Sequence, residues 1–522
     1  MKYRYSKKHN NFFKYIFVVV VIGLIIASIY FVYYQDKNKL SELEGESGNN
    51  GLGNIQVVDN IKMAIHEYDN INPLLTHNRE VLNFTKLIFE PLVSITPEYS
   101  LDFNLAKTCL YKDDNKYEIK LNTDAKWHDG SDFKAEDVLF TFQKIQEGDS
   151  VYKANISNIA SMESSDDETV IIKVNNYDPF FEYSLDFPIM CKRYYEGEDF
   201  NASSKIPIGT GMYKIASNTQ FSLLLTKNTK WAELHNKEQL TESITIQKYS
   251  SIGEAYNAFK MGNVDVINTG MSDYQQYIGT MGYNIKTYTG RSYEYLAFNC
   301  ENSILEDKAV RRAINYAINK DTINTSVFYG KKVVSNGFLD YGSFLYNGEN
   351  LVSYDQEKAK QELLNFGWSN ADGTWKQDDK TIDLNLVVNN DNQDRINVAK
   401  NIKSQLSEIG IRIHVKEVSR ERYDRYLSEK NYDIILCGVN NSVAPRLNSF
   451  YGSGNVANYS CEEKLDTIDG IRNAQKNANE EVPYIGLYRN KWTIVLNPSV
   501  GGEFKPNAYC PYNNFDRWYR QI

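Results

Sequence analysis

Short β-rich segments that alternate with amphipathic helical segments constrain the fold of this chain most strongly, and the pattern is clearest at residues 384–437. LNLVV at 384–388 has the composition of a buried strand. A run of apolar residues at helical spacing follows and ends before a glycine at position 410: Val398, Ile402, Leu406 and Ile409. Two further strand patterns come next, IRIHV at 411–415 and YDIILC at 432–437. This order is typical of βαβ units, so the sequence predicts the α/β class.

The same alternation is present in the preceding residues. YEIKL at 117–121 and VIIKV at 170–174 predict strands, and the residues between them share one face of a predicted helix: Val138, Leu139, Phe142 and Ile145. Two further helices are predicted, one after Asp307 and one that begins near Asp355 and stops at Gly367.

The first 55 residues differ in composition from the rest. Residues 15–34 contain no charged side chain, and a helix of this length measures about 30 Å, the thickness of a membrane's hydrocarbon core. Five basic and no acidic side chains at 1–14 favour a cytoplasmic location for that segment, and the polar residues 35–55 predict a flexible linker. We therefore expect an uncleaved, single-pass transmembrane anchor in the cell membrane, with the remaining chain on the extracytoplasmic side. A cleaved signal peptide is the alternative.

Charge and cysteine usage exclude several classes of protein. The chain carries −9 overall and +5 in its first 14 residues, so the remainder carries −14. Nucleic acid is therefore not expected as a partner, because its binding requires a basic surface. The six Cys are scattered along the chain, without metal-ligand spacing and without the pattern of a disulfide scaffold. One or two disulfide bonds are an open possibility. In WHDG at 127–130, His128 and Asp129 lack further ligands at useful spacing, so a tight turn and no metal site is predicted.

Several segments, in their order along the chain, resemble solute-binding protein family 5, the large solute-binding proteins of oligopeptide, dipeptide and nickel importers. They are YDNINPLL at 68–75, KWHDGSDFKAEDVLFTF at 126–142, IGTGMYKI at 208–215, the stretch 294–323 and YDQEKAKQELLNFGW at 354–368. The resemblance implies a two-lobed clamshell like the type II periplasmic binding proteins, with an extra subdomain on the first lobe.

The predicted domain organisation follows from this resemblance. Residues 56–522 exceed what one hydrophobic core normally serves, so more than one subdomain is expected. On the family's plan, lobe I comprises 56–93, 206–292 and 484–522, the extra subdomain is 94–205, and lobe II is 293–483. The crossings near Tyr293 and Tyr484 are expected to form the hinge.

The resemblance implies the extracytoplasmic substrate-binding component of an ABC importer, which closes its lobes on a peptide or peptide-like solute. GTG at 209–211 lacks the Lys and Ser/Thr of a phosphate loop, so energy is expected to come from ABC permease and ATPase subunits. Ser131 and Lys134 have the spacing of a serine β-lactamase, but the other motifs of that enzyme are absent from the sequence, so catalysis is not expected. No cofactor is expected either. A membrane-anchored ligand sensor of the same fold and a nickel-chelate binder are the open alternatives.

By resemblance, two segments are expected to line the cleft: His77, Asn78 and Arg79, and Val439, Asn440, Asn441 and Ser442. Peptide-binding relatives usually hold an Asp where this chain has Asn441. An amide forfeits the charge-assisted hydrogen bond to a free amine, which contributes about 1.5 to 3 kcal/mol. Arg79 either points to solvent or brings into the cleft a planar cation that suits carboxylates. We therefore hypothesise a ligand with a blocked or absent amine and at least one carboxylate.

Overall fold

The structure is a computed structural model in which residues 57–66, 68–203, 205–270 and 282–521 are described. Its largest element is a mixed sheet of eleven described strands within the compact unit 58–520. Ten of them lie in this order from edge to edge: Arg412–Val418, Asp383–Asn389, Ile434–Asn440, Asn284–Phe298, Tyr484–Leu496, Val266–Thr269, Asn60–Ile65, Ser243–Lys248, Ser222–Lys227 and Tyr213–Asn218. The eleventh, Lys332–Val334, pairs with Tyr484–Leu496 off this path.

Two long antiparallel strands, Asn284–Phe298 and Tyr484–Leu496, lie in the middle of this sheet. Their regular pairing stops after Thr289 and resumes at Tyr293, so residues 290–292 leave the ladder on this side. An unpaired insertion of this kind favours local bending and a stronger twist of the strand.

The predicted βαβ unit is confirmed. Strand Asp383–Asn389 is followed by helix Gln393–Glu408 and strand Arg412–Val418, and the two strands pair in parallel. Asn392 caps the helix by accepting a hydrogen bond from the backbone N–H of Arg395 at 3.1 Å. Ile434–Asn440 adds a third parallel strand.

A separate four-stranded antiparallel sheet lies within residues 106–174. Its strands have the order Ala106–Lys112, Lys116–Leu121, Thr169–Val174 and Ile159–Asp166, and helix Ala135–Glu147 packs against it. The strands expected at 117–121 and 170–174 and the helix between them are therefore confirmed. Apolar residues of this sheet belong to the same hydrophobic core as those of strands Asn60–Ile65 and Ser222–Lys227, whereas residues 293–488 supply two other cores.

The remaining elements are short. Among the described residues, the other α-helices are Arg79–Thr85, Lys153–Ile156, Thr229–His235, Ile252–Lys260, Lys308–Ala317, Lys320–Phe328, Gln356–Asn365, Arg420–Glu429, Asn448–Tyr451 and Ile468–Glu481. Single turns of 3-10 helix occur at Phe181–Leu185, Arg193–Tyr195 and Phe515–Arg517. Further strands are Val57–Val58, Val93–Ile95, Leu101–Phe103, Ser369–Ala371, Thr374–Gln377, Lys380–Thr381, Val500–Gly501 and Tyr519–Gln521. The helices predicted after Asp307 and near Asp355 are thus confirmed.

The expected cytoplasmic segment 1–14, transmembrane anchor 15–34 and linker 35–55 lie outside the described residues. Among the helices that are described, none has the length and apolar character needed to cross a membrane. All six Cys are described, and each is a free thiol. Within the described ranges, no group of three or more His, Cys, Asp or Glu could hold a metal ion.

WHDG forms the predicted tight turn, in which the N–H of Gly130 donates to the carbonyl of Trp127 at 2.7 Å. The ring of His128 then contacts the GTG segment on both sides. Its Nδ1 accepts from the N–H of Gly209 at 3.1 Å, and its Nε2 lies 3.1 Å from the carbonyl of Gly211, to which it donates. Both ring nitrogens are therefore engaged in the neutral form, and burial lowers the pKa of His128 to about 4.

We expect the free energy of unfolding to fall by about 2–3 kcal/mol as the pH drops from about 6.5 to about 4. The unfolded chain protonates His128 near its ordinary pKa of 6.5, whereas the folded chain does so near 4. The contribution of neutral His128 to the free energy of unfolding is thus complete above pH 6.5, the pKa in the unfolded chain, and is lost as the pH falls to about 4. Urea denaturation of wild type and His128→Gln measures it.

The His128→Gln variant should be less stable at neutral pH and should show a shallower pH dependence than wild type. His414→Gln is the matched control, because the His414 side chain is 55% exposed, and it should keep the wild-type slope. Equal slopes for wild type and His128→Gln would contradict the prediction.

Candidate ligand-binding site

The first predicted segment places its three side chains in different surroundings. The Oδ1 atom of Asn78 caps helix Arg79–Thr85 by accepting from the N–H groups of Glu80 at 2.8 Å and Val81 at 3.0 Å. His77 is exposed, and its Nε2 lies 2.9 Å from the carbonyl oxygen of Asp149. These hydrogen bonds join the side chains of His77 and Asn78 to Asp149 and to the first turn of the helix, respectively.

Arg79 differs from these two because its guanidinium group is directed into the protein. The guanidinium carbon lies 3.7 Å from the ring centroid of Trp492, a cation–π geometry. Its Nη2 atom is buried and has no hydrogen-bond partner among the described residues. Burial lowers the pKa of Arg79, and the nearby cation of Arg291 lowers it as well. The expected alternative of an Arg79 that points to solvent is therefore wrong.

The second segment lies at the end of strand Ile434–Asn440, where Val439 and Asn440 pair with Tyr293 and Ser292. Asn441 continues this pairing: its N–H donates to the carbonyl of Arg291 at 3.0 Å, and the Nε of Arg291 donates to the carbonyl of Asn441 at 3.1 Å. Asn441, which the sequence predicted, and Arg291, which it did not suggest, are thus fixed together.

The side chain of Asn441 has a defined orientation. Its Nδ2 donates to the carbonyl of Phe338, which also accepts from Nη2 of Arg489 at 2.5 Å. A carboxylate at this position would meet that carbonyl with no proton to donate, so the amide suits the site better than an Asp would. The Oδ1 of Asn441 is buried and finds no hydrogen-bond partner among the described residues.

A small cavity of about 30 Å³ lies beside Asn441 and Ser442. Its other walls come from distant parts of the chain, and they include Tyr99, Gly290, Arg291, Asp340, Arg489 and Tyr509. A volume of this size admits water molecules, whereas pockets for larger ligands measure roughly 300–1,000 Å³. In this conformation the cavity is therefore smaller than a peptide-sized ligand requires.

Trp492 connects Arg79 with this cavity. A Cβ atom added to Gly290 would lie 3.0 Å from Cδ1 of Trp492, so the indole ring packs directly on the backbone there. Gly290 and Arg291 both line the cavity. The structure therefore brings Arg79 and Asn441 to one region and leaves the side chains of His77 and Asn78 outside it.

The sequence did not suggest Arg291, Arg489, Trp492 and Tyr509 as site residues. Arg489 is 2% exposed, and its Nε donates to Oγ of Ser335 at 3.1 Å. The hydroxyl of Tyr509 donates to the carbonyl of Asn441 at 3.2 Å. Arg291 lies two residues before Tyr293, so inspection of the predicted crossing could have found it.

The comparison with known families identifies this architecture. The family model described as bacterial extracellular solute-binding proteins, family 5 Middle, matches residues 103–460, which is more than half of the chain. The chain belongs to the bacterial extracellular solute-binding proteins, family 5. The two-lobed periplasmic-binding-protein fold predicted from the sequence is thereby confirmed, and so are the extracytoplasmic location and the solute-binding role.

Several known proteins match most of the chain at low sequence identity. The oligopeptide-binding protein AppA of Bacillus subtilis is 24% identical over 391 residues, 71% of this chain and 71% of its own length. A putative ABC transporter peptide-binding protein of Brucella ovis is 26% identical over 394 residues, 72% of both chains. The crystal structure of a nickel ABC transporter protein from Bacillus halodurans has a TM-score of 0.74 at 18% identity and covers 87% of this chain and 98% of that one. This structural likeness establishes the fold alone.

Proposed function

We propose that this protein is the substrate-binding component of an ABC importer for peptides or peptide-like solutes. The observation that carries the proposal is membership of family 5 together with a small cavity built from strand ends and loops far apart in the chain. The relatives named as oligopeptide- and peptide-binding proteins favour a peptide ligand. Ligand binding stabilises the closed arrangement to the extent that affinity for it exceeds affinity for an open one. The protein performs no catalysis, and the permease and ATPase subunits supply the energy.

The proposal includes a membrane tether. An apolar segment at 15–34, preceded by basic residues and followed by a polar stretch, anchors the binding part to the outer face of the membrane. A tether of this kind keeps the loaded protein near its permease, because a linker of about twenty residues restricts it to a few nanometres.

We retain the division into lobe I at 56–93, 206–292 and 484–522, the extra subdomain at 94–205 and lobe II at 293–483. The separation of the hydrophobic cores supports the boundary of lobe II, since one core draws on residues 61–266, Tyr288 and residues 494–518, whereas two others draw on residues 293–488. We place the hinge at residues 290–292, where the ladder between the two long strands is interrupted. This position lies beside the cavity, so hinge movement opens it.

We expect N-acetylated peptides to bind within about threefold of their free-amine counterparts, whereas loss of a charge-assisted hydrogen bond costs about tenfold or more. The amide of Asn441 offers an amine no negative charge. The carboxylate of Asp340, which also lines the cavity, is oriented by hydrogen bonds from the hydroxyl of Thr289 and from the N–H of Gly342 at 2.9 Å. Calorimetric titration with a free-amine peptide library and its acetylated form measures the difference. Tight binding that depends on the amine would overturn this assignment.

Nickel-chelate binding is a second candidate, favoured by the fold shared with the nickel ABC transporter protein. Because the described residues hold no cluster of metal ligands, the chelator would have to supply the metal's ligands.

A further inference from the structure

A second cavity, larger than the one beside Asn441, lies in another part of the molecule. It measures about 200 Å³, and its described walls come from residues 85–237 and 510–516. These wall residues do not overlap with those of the cavity beside Asn441. A cavity of about 150 Å³ is large enough for benzene, so this volume admits a compact organic molecule.

The carboxylate of Glu90 lines this second cavity with one oxygen unused. Glu90 is 5% exposed, and its Oε1 accepts from Nε1 of Trp231 at 2.9 Å. The same oxygen lies 3.0 Å from Nε2 of His235 and 3.5 Å from Nδ2 of Asn104. The other oxygen, Oε2, is buried and has no hydrogen-bond partner among the described residues. Because a buried carboxylate oxygen without a donor is costly, the site favours an occupant that donates to it.

A second polar atom in the same wall is also unpaired. Nδ2 of Asn513 is buried, and it too finds no hydrogen-bond partner in the described part of the chain. The amide nitrogen can only donate, whereas Oε2 of Glu90 can only accept. The two atoms together fit an occupant that carries both a donor and an acceptor.

The charge of the walls favours a cation as the donor. Four carboxylates and two lysines line the second cavity: Glu90, Asp102, Asp186, Asp516, Lys86 and Lys237. Two of the carboxylates lie near a cation, Asp186 at 3.3 Å from Lys86 and Asp516 at 3.7 Å from Arg517. The other two share the cavity with Lys237, so negative charge is in excess and an ammonium group complements it.

Apolar side chains form much of the remaining surface. Leu87, Phe89, Ile95, Met212, Trp231 and Tyr512 all line the second cavity. Small-molecule sites combine such surfaces with a few polar groups that fix the ligand's orientation. A hydrocarbon body beside the ammonium group therefore suits these walls better than water alone does.

We infer that this second cavity is a further ligand site, which takes a compact primary amine with an apolar body and a hydrogen-bond acceptor. The ammonium group donates to Oε2 of Glu90, and the acceptor receives the N–H of Asn513. Amides of single apolar amino acids belong to this class, whereas the volume is too small for a peptide. The inference goes beyond the proposed function and does not depend on it, because the cavity lies apart from the proposed peptide cleft.

The test is calorimetric titration of the full-length protein with leucinamide and two reference compounds. One reference, 4-methylpentanamide, lacks only the amine, and the other, 3-methylbutylamine, lacks only the carboxamide. Leucinamide should bind about ten- to a hundredfold more tightly than 4-methylpentanamide, because the hydrogen bond to Glu90 is charge-assisted. It should bind about two- to tenfold more tightly than 3-methylbutylamine, because the hydrogen bond from Asn513 is neutral.

Two variants separate these contributions. Glu90→Gln should reduce the preference over 4-methylpentanamide to about threefold or less, because the amide carries no charge. Asn513→Ala should remove the preference over 3-methylbutylamine and keep the first one. A general loss of structure would not divide the two preferences in this way. Glu233→Gln is the matched control, because Glu233 is exposed on the same helix as Trp231, and it should change neither preference.

Three results would overturn the inference. They are no binding of leucinamide to wild type, equal affinity of wild type for leucinamide and 4-methylpentanamide, and displacement of leucinamide by a saturating peptide, which would place both in one cleft. If circular dichroism shows that Glu90→Gln does not fold, Asn513→Ala decides: an unchanged preference over 3-methylbutylamine refutes the site. The proposed peptide function is decided separately, by titration with peptides.

Discussion

Gly209→Ala is expected to lower the free energy of unfolding by more than about 3 kcal/mol or to prevent folding. A Cβ atom at Gly209 would lie 1.9 Å from the carbonyl oxygen of Ile88 and 2.8 Å from its carbonyl carbon. These are backbone atoms, so no side-chain rotation relieves the overlap. The backbone of Gly209 is also fixed by two hydrogen bonds to His128, at 2.9 and 3.1 Å. Urea denaturation followed by circular dichroism measures the effect.

Gly253→Ala is the matched control, because it makes the same substitution at a position where the added Cβ atom meets no close neighbour. Gly253 lies in helix Ile252–Lys260, and the nearest atom to its added Cβ is Oγ of Ser251 at 3.9 Å. This variant should be as stable as wild type or more stable by up to about 1 kcal/mol, because Ala favours helix over Gly. If the free energy of unfolding of Gly209→Ala lies within about 1 kcal/mol of the wild-type value, which is the size of the effect expected for the control, the close-packing argument is wrong.

The parts of the fold that were predicted correctly are those that depend on neighbouring residues. The periodicity at 384–437 predicted the βαβ unit because its strands and helix each have a local pattern, and Gly410 takes a φ of +82° at the end of the helix. The turn in WHDG, closed by the hydrogen bond from Gly130 to Trp127, is a local feature of the same kind. The pairing of Asn284–Phe298 with Tyr484–Leu496 is not local, and no short pattern specifies its register.

The site was predicted less completely for the same reason. Asn441 contacts Phe338 and Arg291, which are 103 and 150 residues away in sequence. Such contacts follow from strand pairing, and short sequence motifs do not predict them. A resemblance aligns backbone positions and leaves side-chain direction open, which explains why Asn78 proved to be a helix cap. An Asn that precedes Arg-Glu-Val could have been recognised as a cap from the sequence.

The position of the predicted segment 439–442 depends on a largely buried ion pair between Arg395 and Glu294. Nε and Nη2 of Arg395 donate to the two carboxylate oxygens of Glu294 at 2.8 and 3.0 Å. A Cβ added to Gly438 would lie 2.1 Å from Oε1 of Glu294, so the pair packs directly against the strand that leads to Asn441. The pair thus fixes the distance between the two strands and helix Gln393–Glu408.

Arg395→Met is therefore expected to cost about 3–5 kcal/mol of stability, since it leaves the largely buried Glu294 carboxylate without its hydrogen-bonded guanidinium partner. The double variant Glu294→Gln, Arg395→Met should recover part of this loss, because it removes the buried charge as well. Arg412→Met is the control: Arg412 pairs with Asp383 at 3.4 Å with both side chains exposed, and its loss should cost less than about 1 kcal/mol. Urea denaturation of the four proteins gives these values. Equal losses for Arg395→Met and Arg412→Met would show that the buried pair does not support the strand that carries Asn441.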